Sequence, residues 1–467
     1  MSSTSTLPVR DSKKQNGVET SGLVKSAKEL RKDFLFHEKY RNLNHGSFGT
    51  YPKTVRDTLR AMQDAVEARP DHFIRYTYPK LLIESRAAIA GVLNAPVDTV
   101  VYVPNATTGI NTVLRNLTYE KGDKILYFSS IYGACGKTVT YITETTPAEA
   151  VQVDFTYPVE DDWLVEEMKR KVEAEKRQGN RVRIAIFDTV VSMPGVRMPF
   201  EKLTAACKEL GVLSCVDAAH AIGHVELDLQ KLDPDFLVSN CHKWLYVPRG
   251  CAVFYVPVRN QHLLRSSLPT SHGFIPTPKP GVAYINPFAP SSSSPWVYNF
   301  SFIGTIDNSP YLCIPTALKY RESIGGEKAI IAYNSALALS AAKHAAKVLG
   351  TEILENSTGT LTKCCMANVR LPLDVDAIVK VTASKGLTNS PAEVQSLVRD
   401  WMVERMVEEY DTFIAMMVYG GAWWVRFSGQ VYLDMEDFEW AGTVLKELCG
   451  RVEKGEFVLE PETKSRL

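Results

Sequence analysis

The chain carries no excess charge: 53 basic residues balance 53 acidic ones, for a formal net charge of +0. That excludes the broad positive field on which non-specific nucleic-acid binding depends. No stretch approaches the ~18 consecutive apolar residues of a membrane-spanning helix. The 9 cysteines include no Cys-x-x-Cys pair, and an odd number cannot pair fully within one chain. A disulfide framework is therefore not expected; most of the cysteines have apolar neighbours and read as small buried hydrophobes. The first 25 or so residues lack the apolar core of a secretory signal and read as a tail rich in Ser, Thr and Lys. A reducing, cytoplasmic setting follows as the expectation. The C-terminal Ser465-Arg466-Leu467 is similar to the peroxisomal Ser-Lys-Leu address and supplies an alternative.

What is present is an ordinary globular composition, 45% apolar and 23% charged, over a length that suits two domains. Short apolar runs alternate with amphipathic stretches. Strands are expected at Val100–Val103, Lys124–Phe128, Val151–Phe155, Arg183–Phe187, Val212–Val216, Phe236–Ser239 and Ala252–Val256. Helices are expected at Val55–Glu67, Leu81–Leu93, Thr107–Leu117, Asp161–Arg177 and Phe200–Leu210. This alternation argues for an α/β fold with a mostly parallel sheet covered on both faces. Ser266–Pro295 reads as a long loop before an aromatic-rich stretch. Helices at Ile314–Ile324 and Ala329–Leu349 lead to a smaller α+β region with strands at Met366–Leu371 and Trp424–Phe427 and helices at Ala392–Tyr410 and Met435–Leu448. The expected division is a disordered tail (1–30), an arm and substrate loop (31–50), a large domain (51–315), connecting helices (316–350) and a small domain (351–460).

Polar residues gather where strands end, which is where open α/β sheets bind ligands. Asn105-Ala106-Thr107-Thr108-Gly109 starts a helix and offers N–H groups to a phosphate, or simply caps the helix. Asp188 and Ser192 follow one strand, and Asp217 ends another as either a cap or the partner of a buried protonated nitrogen. Lys243, in Ser239-Asn240-Cys241-His242-Lys243-Trp244, is either a snorkelling edge charge or a desolvated amine able to form a Schiff base. A phosphate end, a carboxylate behind a ring nitrogen and an amine beside an aldehyde together describe pyridoxal 5'-phosphate (PLP), an electron sink for charge at Cα. Tyr132 is placed to stack on the ring. His220 and His224, spaced i, i+4, can share a helical face, but Asp217 is already claimed by the cofactor reading, so no metal is expected.

At Asp217-Ala218-Ala219-His220 and Ser239-Asn240-Cys241-His242-Lys243 the chain resembles the class V aminotransferase-like family of fold-type I PLP enzymes. Leu43-Asn44-His45-Gly46-Ser47-Phe48-Gly49 resembles the isopenicillin N epimerase-like branch, and within it the fungal hercynylcysteine sulfoxide lyases of ergothioneine biosynthesis. The resemblance implies a mostly parallel seven-stranded sheet in a large domain with a smaller C-terminal domain. It makes Lys243 the lysine bonded to the cofactor and Asp217 the partner of the ring nitrogen. It puts Ala106, Thr107, Ser239 and His242 by the phosphate, His220 beside Asp217, and Ser192 near the ring hydroxyl. Gly304 and Thr305 match a pair that reaches the phosphate from the neighbouring subunit, implying a homodimer with shared sites. Arg426 matches the arginine that holds the substrate α-carboxylate, with Asn44, His45 and Gly46 nearby. One departure is Tyr132, where many members carry His; a phenol can stack and can donate a proton to a departing group.

The implied reaction is β-elimination on a cysteine sulfoxide conjugate, hercynylcysteine sulfoxide. It leaves pyruvate, ammonia and a sulfenate that an external thiol or other reductant converts to the thione ergothioneine. Cysteine desulfuration needs a nucleophilic thiol on a mobile loop. Cys364 and Cys365 precede a strand-like run and read as packed residues, while Cys135 is a lesser candidate for handling sulfur. An epimerase, another PLP lyase or desulfurase, and a non-catalytic scaffold are the alternatives. Phe48, Tyr76, Tyr78, Trp296 and Tyr298 are available to a quaternary ammonium. Arg69 and Arg75 suit either a second carboxylate or surface ion pairs.

Overall fold

The computed structural model describes residues 22–281, 294–386 and 390–458. The C-terminal tripeptide and most of the expected tail lie outside the described residues. Within that expected tail, Ala27–Arg31 is a short helix held by a capping box between Ser26 and Glu29.

Seven strands form the large sheet: β1 (Val100–Val103), β2 (Asp123–Phe128), β3 (Glu149–Val153), β4 (Arg181–Asp188), β5 (Leu213–Asp217), β6 (Phe236–Asn240) and β7 (Ala252–Tyr255). Their spatial order is β1-β7-β6-β5-β4-β2-β3. Only β7 runs against its neighbours; it pairs antiparallel with β1 and with β6, and the other pairings are parallel. Alternate residues feed two different cores. Leu126, Phe128, Ala185, Phe187, Val216 and Leu237 pack on one face, and Ile125, Ile184, Ile186, Cys215, Phe236 and Val238 on the other. Helices cover both faces, so the central strands are apolar throughout rather than alternating.

The smaller sheet, of three antiparallel strands, orders β8 (Met366–Arg370), β10 (Ala422–Ser428) and β9 (Ala415–Tyr419) with β10 central. The long helix Gly326–Leu349 and the helix Met435–Glu453 pack with it around a separate core that includes Val369, Trp423, Phe427, Leu337 and Leu445.

Several expectations shift. The strand placed at Val151–Phe155 lies at Glu149–Val153. Helices Gly133–Thr145 and Val375–Ser384 and strand β9 were not foreseen. The aromatic-rich stretch is helical over Pro295–Ser301. The presumed loop at 43–49 contains a helical turn, His45–Phe48, closed by Gly49 at φ 62°. A Cβ on Gly49 would lie 1.8 Å from the His242 carbonyl oxygen, so both the left-handed backbone and the close approach to the 242–243 peptide require glycine.

Gly49→Ala is therefore expected to lower unfolding stability by about 2 kcal/mol or more. Gly91, in helix Tyr78–Val92, has open space around its missing Cβ, and Gly91→Ala should raise stability by about 0.5–1 kcal/mol. Urea unfolding of the two variants checks this contrast, and equal effects would contradict the described packing.

Candidate active site

The site is built on the carboxyl ends of β4, β5 and β6 and the helix that follows β1. Asp188 and Asp217 are the last residues of β4 and β5 and are register partners. Both are buried, and loss of water raises both carboxyls above the usual range; the neighbouring Asp217 charge raises Asp188 further. Asp217 Oδ1 accepts the Ala219 N–H at 3.0 Å, and Oδ2 accepts the Cys135 thiol at 3.4 Å.

Lys243 lies on the short helix Cys241–Trp244 directly after β6. Burial is the main cause that brings its amine from 10.5 down to about 8. Its Nζ is 2.8 Å from His220 Nε2, and His220 Nδ1 accepts the indole N–H of Trp244 at 3.3 Å. Burial, followed by the Lys243 charge, holds His220 well below the ordinary histidine range, so the ring is neutral.

The helix Ala106–Asn116 points its first turn at the same region. Asn105 caps it by accepting the Thr108 N–H at 2.8 Å. The Ala106 N–H is taken at 2.9 Å by Asn240 Oδ1. Among the described residues the Thr107 N–H and hydroxyl have no partner, which leaves an anion-binding donor pair at a helix start.

Arg426, on the central strand β10, crosses from the small sheet into this space. Its Nη1 donates to the Ser192 carbonyl, and its Nη2 donates to Asn44 Oδ1 at 2.7 Å and Ser47 Oγ at 3.0 Å. Nε is buried without a partner. Loss of water lowers the guanidinium to about 10. All of its protein partners are neutral, and among the described residues no carboxylate forms an ion pair with it. A buried cation so placed is stabilised by an incoming carboxylate. Gly195 makes room for the arginine stem, since a Cβ there would lie 2.6 Å from Arg426 Cδ. Asn368, on β8, clamps both the N–H and the carbonyl of Gly195, at 2.9 and 3.0 Å.

Of the residues singled out from sequence, Lys243, Asp217, His220, Thr107, Ala106, Ser192, Asn44 and Arg426 converge here. Tyr132 caps the amino end of helix Gly133–Thr145, the helix that brings Cys135 to Asp217, and is 48% exposed, leaving its ring accessible. His242 is half-buried and its Nδ1–H donates to the Cys251 carbonyl at 3.0 Å.

Several of the remaining residues have partners of their own in the fold. Ser239 is fully buried; its hydroxyl donates to the Ala218 carbonyl and accepts the Ile222 N–H at 3.0 Å, so it braces the turn after β5. Asn240, on the opposite face of β6, is the residue that reaches the start of helix Ala106–Asn116. His45 turns away from Arg426, with Nδ1 2.8 Å from the Tyr432 hydroxyl and its ring against Trp244. Gly46 donates its N–H to Ser428 Oγ at 3.3 Å and provides close packing against Met366 and Trp244. Gly304 and Thr305 are exposed, with Gly304 in the left-handed region at φ 69°.

His224 uses both ring nitrogens structurally, donating to the His220 carbonyl at 2.6 Å and accepting the Cys365 N–H at 2.6 Å. Arg75 pairs with Asp71 at 3.0 Å on the surface. Asn240, Trp244, Ser47 and Asn368 were not foreseen as site residues. Strand alternation at Ser239-Asn240 was the one available signal, since adjacent residues must face opposite sides.

The donor set fits PLP. The free Thr107 donors and Asn240 meet the needs of a phosphate, the buried Asp217 those of a ring N–H, and the Lys243 amine, lowered by burial, those of an aldehyde. Replacing Arg426 by Gln is expected to raise KM for an amino-acid substrate about 100-fold, and Asn44→Ala to raise it less, while cofactor absorbance is retained. Steady-state kinetics with parallel spectra test this. An unchanged KM in Arg426→Gln would remove the carboxylate role.

Residues 54–370 match the family described as Aminotransferase class-V. An L-cysteine desulfhydrase-like protein, lolT1, of Epichloe uncinata is 38% identical over 447 residues, covering 91% of this chain and 96% of that protein. Hercynylcysteine sulfoxide lyase of Schizosaccharomyces pombe is 29% identical over 422 residues, covering 90% and 97%. Among solved structures, an apo cysteine desulfurase of Thermococcus onnurineus NA1 superposes with a TM-score of 0.67 at 17% identity over 92% of this chain and 99% of that one. The cystine C-S lyase C-DES in complex with cysteine persulfide gives 0.64 at 18% identity, over 88% and 97%. With the match over most of its length and the cofactor-compatible cleft in place, the chain belongs to the class-V aminotransferase family and is a PLP-dependent enzyme of fold type I.

Proposed function

We propose that this enzyme is a β-eliminating C–S lyase of the cysteine desulfhydrase kind, acting on L-cysteine or a cysteine S-conjugate. The observation that carries the choice of elimination is the burial of all nine cysteines. Persulfide transfer requires a reachable thiolate. Cys364 is buried before β8 and raised to about 12 by loss of water, and Cys365 is buried and raised beside it. Cys135 is raised by burial and by the Asp217 charge, and its S–H donates a hydrogen bond to that carboxylate. None is set up as a nucleophile, so sulfur leaves with the departing group.

Bound PLP supplies the electron sink that makes a Cα proton acidic. Asp217 would pair with its ring nitrogen, and Thr107, Asn240 and the helix start would hold its phosphate. Arg426, steadied by Asn44 and Ser47, binds the substrate carboxylate and fixes which Cα bond faces Lys243. The Lys243 amine then takes the Cα proton as a general base. The leaving group departs from Cβ, and hydrolysis of the residual enamine gives pyruvate and ammonia.

The particular substrate hercynylcysteine sulfoxide is a second reading. The full-length similarity to the Schizosaccharomyces pombe lyase supports it, as does Phe48, which is 69% exposed and follows Ser47 at the Arg426 cluster. An exposed aromatic face there suits a quaternary ammonium. In that reading an external thiol reduces the released sulfenate to the thione.

We further propose a homodimer in which the exposed Gly304 and Thr305 serve the partner's phosphate, and a cytoplasmic location, with Ser465-Arg466-Leu467 as an alternative peroxisomal address. No described helix is long and apolar enough to cross a membrane.

The test is pyruvate and sulfide release from holoenzyme given L-cysteine, S-alkyl cysteines, and hercynylcysteine sulfoxide with a thiol. Elimination predicts pyruvate from at least one of them, abolished in Lys243→Ala. Cys135→Ala and Cys364→Ala should retain activity within about tenfold. Alanine formation without pyruvate, lost in either cysteine variant, would replace elimination with desulfuration.

A further inference from the structure

Trp244 touches neither the proposed phosphate site nor the carboxylate site, yet its side chain is completely buried beside both Lys243 and His220. Its position is fixed from several directions. The ring lies 4.0 Å from that of His224, and its carbonyl accepts Arg321 Nη1 at 2.8 Å. Gly223 packs so closely on that carbonyl that a Cβ would approach to 2.7 Å.

The chain of hydrogen bonds from this indole has only one consistent direction. An indole nitrogen only donates. Its N–H meets His220 Nδ1 at 3.3 Å, so Nδ1 is the acceptor. A neutral imidazole carries a single proton, which must then sit on Nε2. That N–H faces Lys243 Nζ at 2.8 Å. A donor pointing at the amine needs a lone pair there, and an ammonium has none. The reverse arrangement, an ammonium donating to Nε2, would place the Nδ1 proton against the indole proton.

We propose that Trp244 is a positioning residue that fixes His220 as its Nε2–H tautomer and thereby holds the free Lys243 amine in its proton-accepting form. The inference rests on Lys243 being the reacting amine of the proposed lyase. It explains why a buried indole is placed immediately after that lysine: the base that must collect a Cα proton is biased toward its free form.

Other charges face the same amine and set the background. Asp217 on β5 and Asp188 on β4 favour its protonated form, as does Cys135 on the helix that follows β2. Arg426 on β10 opposes protonation. The adjacent rings His224 and His242 are neutral at working pH, each lowered chiefly by burial, to about 3 and about 4. These groups remain in a Trp244 variant, so a change on removing the indole N–H reports the relay.

The test reads Lys243 directly in the full-length chain freed of cofactor, by competitive acetylation across pH with peptide quantification. Trp244→Phe keeps an aromatic ring on His224 and removes the donor. The midpoint for Lys243 labelling should rise by about one pH unit, the size expected for losing one neutral hydrogen bond. In a His220→Gln background, where the side-chain amide supplies its own donor, adding Trp244→Phe should leave the midpoint in place. An unchanged midpoint in folded Trp244→Phe overturns the proposal, as does an equal shift in both backgrounds. Nitrogen-15 NMR of histidine-labelled wild-type protein serves if Trp244→Phe does not fold: the His220 signal, identified by its loss in His220→Gln, must show the Nε2–H tautomer, and an Nδ1–H tautomer overturns the assignment. Neither readout involves a substrate, so failure here leaves the lyase reading standing, and failure of the pyruvate assay leaves the relay standing.

Discussion

The site depends on burying one amine where its charged form is disfavoured. An ammonium at Lys243 would have to be stripped of water, and the surrounding chain does not offer it full compensation. Asp217 and Asp188 are close enough to matter but are themselves raised by burial, and Arg426 adds positive charge to the same space. The outcome is a lysine near 8 that is free to bond an aldehyde or take a proton. The large sheet makes this possible by ending β4 and β5 level and carrying β6 two residues further, so that two carboxylates and the amine that follows β6 meet near the helix that starts at Ala106.

A second buried charge, Arg426, is handled differently. Its nitrogens rest on the Ser192 carbonyl, Asn44 and Ser47, all neutral, so the cation is held in place while its charge stays uncancelled. The two domains are joined at this point. Asn368 and Arg426 are register partners on β8 and β10, and both engage the loop after β4. The position of Arg426 is thus coupled to the seating of the small domain on the large one, and the arm carrying Asn44 and Ser47 lies at the junction, with Gly49 close against the lysine's own backbone.

Much of this was legible in the chain itself. Amphipathic repeats placed helices Asp161–Arg177 and Phe200–Leu210 at their observed bounds, because their apolar spacing is clean and charged residues mark the other face. Helix Gly133–Thr145 was missed because its threonines and glycines are weak helix formers. In the fold Thr138, Thr140 and Thr145 bond back to carbonyls four residues earlier, a compensation invisible in composition. The bracing role of Ser239 was not legible because strand phase was not followed to the last residue of β6, where Asn240 takes the face toward Ala106. The surroundings of His45 are tertiary: only the folded arrangement of Trp244 and Tyr432 reveals the buried slot that holds it.

The central claim is that Lys243, and no other amine, bonds the cofactor. Borohydride reduction of the native holoenzyme followed by proteolysis and mass mapping tests it most directly. The account predicts loss of the visible cofactor band and a single pyridoxyl group on the peptide containing Lys243. A pyridoxyl group on another lysine, or cofactor released intact after reduction, would contradict it.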